Sequence, residues 1–216
     1  MARLTLWGRA SAFNVQKALW LLGELGLPFD HEQVGGAHGG LDAPEFLRMN
    51  PHGRVPVLRD GDTIVWESHS ILRYLAARYG SEALWPAEPA ARSLVDRWMD
   101  WSLASLQPAF MRLFWGYFRT PQDLWDRAGL QPAIEKCDRL FMLLDGQLAG
   151  RAYLAGSAFS LADIPAGTTL YRYFGIGLAV PHHPNVDAWY GRLCARKAYQ
   201  QAIMVPFEDL RGRMEY

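Results

Sequence analysis

Over residues 1–80 the apolar positions switch between a period of two and a period of three to four, and each switch marks an element. Leu4-Thr5-Leu6-Trp7 alternates and stops at Gly8, which predicts a first strand. Asn14 then opens a helix whose apolar residues Val15, Ala18, Leu19 and Leu22 fall on one face, and Gly26-Leu27-Pro28 ends it. Phe29 to Val34 predicts a second strand, closed by Gly35-Gly36. A short helical segment lies around Pro44-Glu45-Phe46-Leu47, followed by the turn Asn50-Pro51-His52-Gly53. Val55-Pro56-Val57-Leu58 and Ile64-Val65-Trp66 flank Asp60-Gly61-Asp62, a hairpin pattern. The next helix, from Ser68 to about Tyr79, carries Ile71, Leu72 and Leu75 on one face.

The order βαβ, then α, then ββα is the thioredoxin-like order, with a mixed four-stranded sheet. From about residue 90 the pattern is helical only, over roughly 90–118, 122–149, 161–175 and 184–196. The expected fold is therefore α+β: a thioredoxin-like domain over 1–80, a proline-marked linker over 81–89 and an all-α domain over 90–216. Ser160-Leu161-Ala162-Asp163 has the spacing of a capping box, and Phe159 and Ile164 occupy the two positions of a hydrophobic staple.

Composition narrows the function classes. Half of the 216 residues are apolar and a fifth are charged, as in a globule with a sizeable core. Lys plus Arg equals Asp plus Glu at 22 each, which argues against a polybasic nucleic-acid surface. No apolar run reaches the roughly 18 residues of a membrane span. Met1-Ala2-Arg3-Leu4 enters alternation at once, without a signal-peptide core. Cys137 and Cys194 lie far apart with no CxxC, so the expectation is no metal site, no disulfide framework and a cytoplasmic address.

Three motifs carry a family resemblance. Asn50-Pro51-His52-Gly53-Arg54-Val55-Pro56-Val57-Leu58 resembles the NPxGxVPxL segment of cytosolic glutathione transferases. Trp66-Glu67-Ser68-His69-Ser70-Ile71 resembles their ESxAI segment, and Phe159 to Ile164 their helical-domain S/TxADI capping motif. The resemblance covers essentially the whole chain in order. The opening from Trp7 to Lys17, with Gly35-Gly36, is most similar to bacterial enzymes of theta- and nu-like type.

The resemblance implies a glutathione co-substrate, a small-molecule electrophile as second substrate, and a homodimer. It also implies a cis Val55-Pro56 bond, a geometry that X-Pro peptides reach cheaply. That turn would expose the Val55 backbone to the cysteinyl part of glutathione, as in strand addition. Backbone N–H groups at the helix start, with the Ser68 hydroxyl, suit the γ-glutamyl carboxylate, although Ser68 also reads as a plain helix cap. Glu67 can accept from the γ-glutamyl amine or steady the turn. Arg54 stands where a polar residue meets the glycyl end, with His52 nearby; His38 is a weaker candidate.

Thiolate formation needs donors just before the first helix, together with its N-terminal dipole. The family uses Tyr, Ser or Cys there, and neither Tyr nor Cys occurs between Trp7 and Lys17. Asn14 and then Ser11 are the candidates, with Arg9 outside them. Counted back from Lys17, the family's hydroxyl position falls nearer Ala12, a departure from the pattern. Met111, Phe114, Trp115 and Phe118 fall at helical spacing and read equally as the wall of a second-substrate pocket or as packing. The competing functions are glutathione-dependent disulfide reduction or peroxidase activity, and a glutathione-binding module without catalysis.

Overall fold

The structure, a computed structural model, describes Leu4–Met214; the Met1–Arg3 part of the expected N-terminal alternation lies outside the described residues, as do Glu215 and Tyr216. The chain forms two compact units. One comprises residues up to Ser81 together with Lys197–Val205, the other Glu82–Arg196 together with Pro206–Met214.

The first unit runs β1 (Leu4–Trp7), α1 (Phe13–Glu24), β2 (Phe29–Glu32), α2 (Pro44–Met49), β3 (Val57–Asp60), β4 (Thr63–Trp66) and α3 (Ser68–Tyr79). Its sheet has the order β2-β1-β3-β4, with β1 parallel to β2 and the other pairs antiparallel. This is the mixed four-stranded sheet that the pattern predicts. Leu6 and Leu58 face each other across β1 and β3, and both are fully buried. The Ile71, Leu72 and Leu75 stripe of α3 is buried as expected. Tyr74 and Tyr79 both donate to Asp60 Oδ2, at 2.8 and 2.5 Å, tying the end of β3 to α3.

The expected helical domain over 90–216 is interrupted, because α9 (Lys197–Ala202) belongs to the first unit. It packs on α1, where the Trp20 and Tyr199 rings meet edge to face at 4.7 Å. Such a pair contributes about 0.5–1.5 kcal/mol beyond its burial. A Cβ on Gly23 would stand 3.0 Å from the Ala198 Cβ, so the two helices approach at a glycine.

In the second unit, α4 (Pro89–Trp101) is capped by Glu88, whose carboxylate accepts from the Ala90 and Ala91 N–H groups. The expected linker is ordered within this unit from Glu82 onward: Trp85 Nε1 donates to Asp96, and Arg92 stacks on the Trp85 ring. The helix expected over 90–118 continues through α5 (Gln107–Leu113) but contains two π-helical turns, Ser102–Leu106 and Phe114–Arg119. Pro108 explains the first, since it lacks an N–H and its ring crowds the carbonyl four residues earlier. α6 (Arg127–Leu148) begins five residues later than the pattern suggests; Pro121 precedes a short 3-10 turn, and Asp126 caps the helix by accepting from the Gly129 N–H at 3.0 Å. α7 (Asp163–Gly175) and α8 (Pro184–Cys194) complete the unit.

The capping motif is formed around Asp163, which is fully buried. Its carboxylate accepts from the Ser160 N–H at 2.9 Å, the Leu154 N–H at 3.0 Å and Trp189 Nε1 at 3.0 Å. Burial pushes its pKa up to about 6 against the opposing pull of those bonds. The Ser160 hydroxyl plays the smaller part, accepting from the Ala162 N–H at 3.3 Å. Phe159 packs on Tyr153 and beneath the Arg196 guanidinium.

Candidate active site

Strand register gathers the candidate residues at one end of the first unit's sheet. Val57 pairs with Trp66 across the hairpin and with Trp7 across β1. The segments just beyond these residues, Val55-Pro56, Glu67-Ser68 and the loop after Gly8, therefore lie side by side. The Val55-Pro56 bond is cis, as the resemblance implies. Gly8 has φ 143°, and a Cβ there would meet Val55 Cβ at 3.1 Å and a Val15 methyl at 2.4 Å.

Glu67 occupies the cap position of α3 with φ 68°, a positive value rare outside glycine, and makes no side-chain cap bond. Holding such a residue costs on the order of 1–3 kcal/mol, which the surroundings must supply. Ser68 is buried and is the first helical residue, so it does not cap the helix. The first N–H groups of α3 have no acceptor within the helix and face the site's end of the sheet. Glu67 itself is exposed.

The loop leading into α1 is held by β2 and the residues after it. The Gly8 N–H donates to the Glu32 carbonyl and the Arg9 N–H to the Val34 carbonyl. His31 Nε2 donates to the Gly8 carbonyl at 2.7 Å, which leaves Nδ1 to accept from the Gln33 amide at 3.2 Å. The Gln33 oxygen in turn accepts from the Ala10 N–H at 3.2 Å. His31 and Gln33 hold this loop by hydrogen bonds that periodicity did not single out; their signal was two polar side chains with rings or amides in a segment of poor alternation. Helix α1 begins at Phe13 with Ala12 at its cap, so Asn14 sits inside the first turn instead of opening it. Asn14 and Ser11 are both half-buried.

His52 and Arg54 are exposed on the turn before the cis bond. Asn50, buried behind them, closes that turn: its Nδ2 donates to the Arg54 carbonyl at 2.8 Å and its Oδ1 accepts from the His52 N–H at 3.1 Å. The His52 ring lies 5.3 Å from that of Trp66, which places the turn against β4. His38 stands apart, exposed in the 3-10 turn Gly36–His38.

Beneath the site lies a charge that the pattern left unassigned. Lys17 is fully buried, and its Nζ is 3.2 Å from His69 Nε2 in the first turn of α3. Burial lowers the Lys17 pKa to about 7, with the Glu67 charge pulling the other way. Burial and then the Lys17 charge lower His69 to about 2, so its ring is neutral, and below pH 7, where Lys17 is charged, Nε2 accepts from the ammonium. The available signal was Lys17 at four-residue spacing between the buried Phe13 and Leu21.

In the second unit, Phe114 and Phe118 stack at 5.1 Å and are buried with Phe110 and Phe207. Met111 and Trp115 are half-buried, Trp115 under the Arg119 guanidinium. The four residues expected to line one pocket wall thus divide between an aromatic core and a more open face. Among the described residues, no group of three or more His, Cys, Asp or Glu side chains could hold a metal ion, and no helix is long and apolar enough to cross a membrane.

A thioredoxin-like unit with a cis-proline turn beside a helix start, joined to an all-helical unit, defines a class of glutathione-using proteins, and comparison with known proteins agrees. Residues 13–78 match the glutathione S-transferase N-terminal domain and residues 106–197 the glutathione S-transferase C-terminal domain. The chain is 40% identical over 205 residues to glutathione S-transferase GstB of Escherichia coli, covering 94% of this chain and 99% of that one. It is 33% identical to glutathione S-transferase 3 of Zea mays, covering 94% of each. The theta class glutathione S-transferase of Xanthomonas axonopodis pv. citri, solved with glutathione bound, superposes with a TM-score of 0.90 at 43% identity, covering 95% of this chain and 99% of that one. This chain belongs to the glutathione S-transferase family.

Proposed function

We propose that the chain is a glutathione transferase that binds glutathione at the end of the first unit's sheet and adds its thiolate to an electrophilic carbon. The observation that carries this reading is the convergence there of Val55-Pro56, Glu67-Ser68 and the start of α1. The Val55 backbone pairs with the cysteinyl part, the Ser68 hydroxyl and the first N–H groups of α3 take the γ-glutamyl carboxylate, and Glu67 takes the amine. His52 and Arg54 face the glycyl carboxylate.

A free thiol near pKa 8.5 is only a few per cent ionised at pH 7, and lowering it by about two units takes roughly 2.7 kcal/mol. Asn14, with Ser11 second, supplies a donor at the N-terminus of α1, where the helix dipole also favours the anion. The thiolate then forms a C–S bond as halide leaves or an epoxide opens. Met111 and Trp115, with Phe114 and Phe118 behind them, favour an electrophile with apolar bulk.

The chain's own thiols are poorly suited to redox work. Burial pushes Cys137 up to about 12 and raises Cys194 as well. A disulfide-reducing side activity would run on glutathione's thiol. We further propose a cytoplasmic, detoxifying enzyme that works as a homodimer, on the strength of the family.

The decisive experiment combines calorimetric binding of glutathione with a conjugation panel of a halo-aromatic, a halo-acid and an epoxide. Binding and turnover of at least one member are expected. No binding and no turnover across the panel would reject the proposal. Binding with an unshifted thiol pKa, read from thiolate absorbance, would leave a non-catalytic glutathione-binding module.

A further inference from the structure

Helix α1 buries a cation directly behind the start of α3. Lys17 is fully enclosed, its Nζ contacts His69 Nε2 at 3.2 Å, and its ring neighbour Phe13 lies 5.1 Å away. A lysine stem fills such space no better than leucine or methionine would, and desolvating its ammonium is costly. The charge therefore requires an explanation beyond packing. Three features point the same way. His69 is two residues beyond Glu67, in the first turn of α3. Glu67 is held at φ 68°, a strained conformation that nothing in its own side-chain capping supports. The Glu67 charge acts on the buried ammonium and opposes the effect of its burial.

We propose that Lys17 is a positioning residue for the γ-glutamyl end of glutathione: gripping His69 and attracting Glu67 from below, it holds the strained start of α3 with the Glu67 carboxylate aimed at the ligand's amine. The inference rests on the assignment of glutathione to this site. His69 serves as the mechanical link. As a neutral ring accepting from the ammonium through Nε2, it keeps its proton on Nδ1, which is buried without a hydrogen-bond partner. That unsatisfied N–H is a second cost met to keep the Lys17 contact. Lys17 acts through Glu67 and His69 and touches no reacting atom.

The test is a comparison of two ligands on the full-length protein. S-methylglutathione has its thiol capped, so only binding is read; its counterpart with a glutaryl group in place of γ-glutamyl lacks the amine. Calorimetry on the wild type at pH 6, where Lys17 is charged, is expected to favour the amine-bearing ligand by roughly tenfold or more, the yield of one charge-assisted hydrogen bond. In Lys17→Met, checked for folding by its melt, that preference is expected to fall towards one. A merely structural role would weaken both ligands alike and leave their ratio intact.

A wild type that discriminates, with a Lys17→Met variant that discriminates equally, overturns the proposal and leaves the glutathione site standing. A wild type that binds neither ligand removes the site assignment and this inference together. A wild type that binds both equally overturns the role given to Glu67, and with it that of Lys17. Should Lys17→Met fail to fold, His69→Asn goes through the same comparison, since it removes the link without burying a new charge. A His69→Asn preference near one supports the proposal, and an unchanged preference overturns it.

Discussion

Gly8 lies so close to Val55 that a Cβ added to it would stand 3.1 Å from the Val55 Cβ, with a Val15 methyl only 2.4 Å away. The close approach sets the loop that enters α1 against the Val55 side chain at the cis-proline turn. Gly8 also has φ 143°, where an L side chain is strained. Gly8→Ala is therefore expected to push Val55 and Val15 apart. It should lower stability by about 1–3 kcal/mol, the usual cost of overpacking. Glutathione affinity should fall with it, measured by calorimetry beside a urea melt. An unchanged affinity would show that the Val55 backbone does not contact the ligand.

Asn14 sits in the first turn of α1, two residues past the Ala12 cap, where the helix dipole favours an anion. Asn14→Ala is expected to lower kcat by about tenfold or more while changing glutathione affinity little, the signature of an interaction made with the thiolate. Steady-state kinetics with a halo-aromatic substrate, together with direct binding, checks it. Equal losses in affinity and turnover would shift the donor role to Ser11 or to backbone.

Lys17 gives stability a defined pH dependence. Its folded pKa, about 7, lies below the ordinary lysine value of about 10.4. Between these values the unfolded chain binds more protons than the folded one, so Lys17 makes stability rise with pH through that window. The penalty is full below pH 7. Relative to Lys17→Met, the wild type should gain on the order of 1 kcal/mol per pH unit between pH 7 and 9. Urea denaturation of both proteins at the two pH values measures it, and parallel curves would refute it.

Asp163 concentrates the capping motif's energy in one carboxylate that serves Ser160, Leu154 and Trp189. Asp163→Ala strands these donors in the core and is expected to cost about 3 kcal/mol or more. Ser160→Ala removes only a hydroxyl and should cost about 1 kcal/mol. Chemical denaturation of the two variants ranks them, and the reverse order would contradict the geometry.

Much of the candidate site's arrangement is legible in the chain's local pattern. The hairpin pattern across Asp60-Gly61-Asp62 sets the register that pairs Val57 with Trp66, and that register alone brings Val55-Pro56 beside Glu67-Ser68. The resemblance supplied the cis bond. The roles of His31 and Gln33 were not legible, because a strand with poor alternation does not say which backbone its side chains will meet. Nor was the departure of Asn14 from the cap, since Ala12 takes that place without any side-chain bond to betray it.

By itself the sequence determined the local elements: where the period changes, where glycine and proline stop a helix or strand, and which face of α3 is apolar. Those are properties of neighbouring residues, and they follow from backbone geometry. Only the tertiary structure decided what each buried face meets. It set Lys17 against His69, 52 positions away in the chain, and returned Tyr199 to Trp20 on α1. Periodicity reports that a side chain is to be buried; the partner that satisfies its charge or fills its space is chosen by packing between segments distant in sequence.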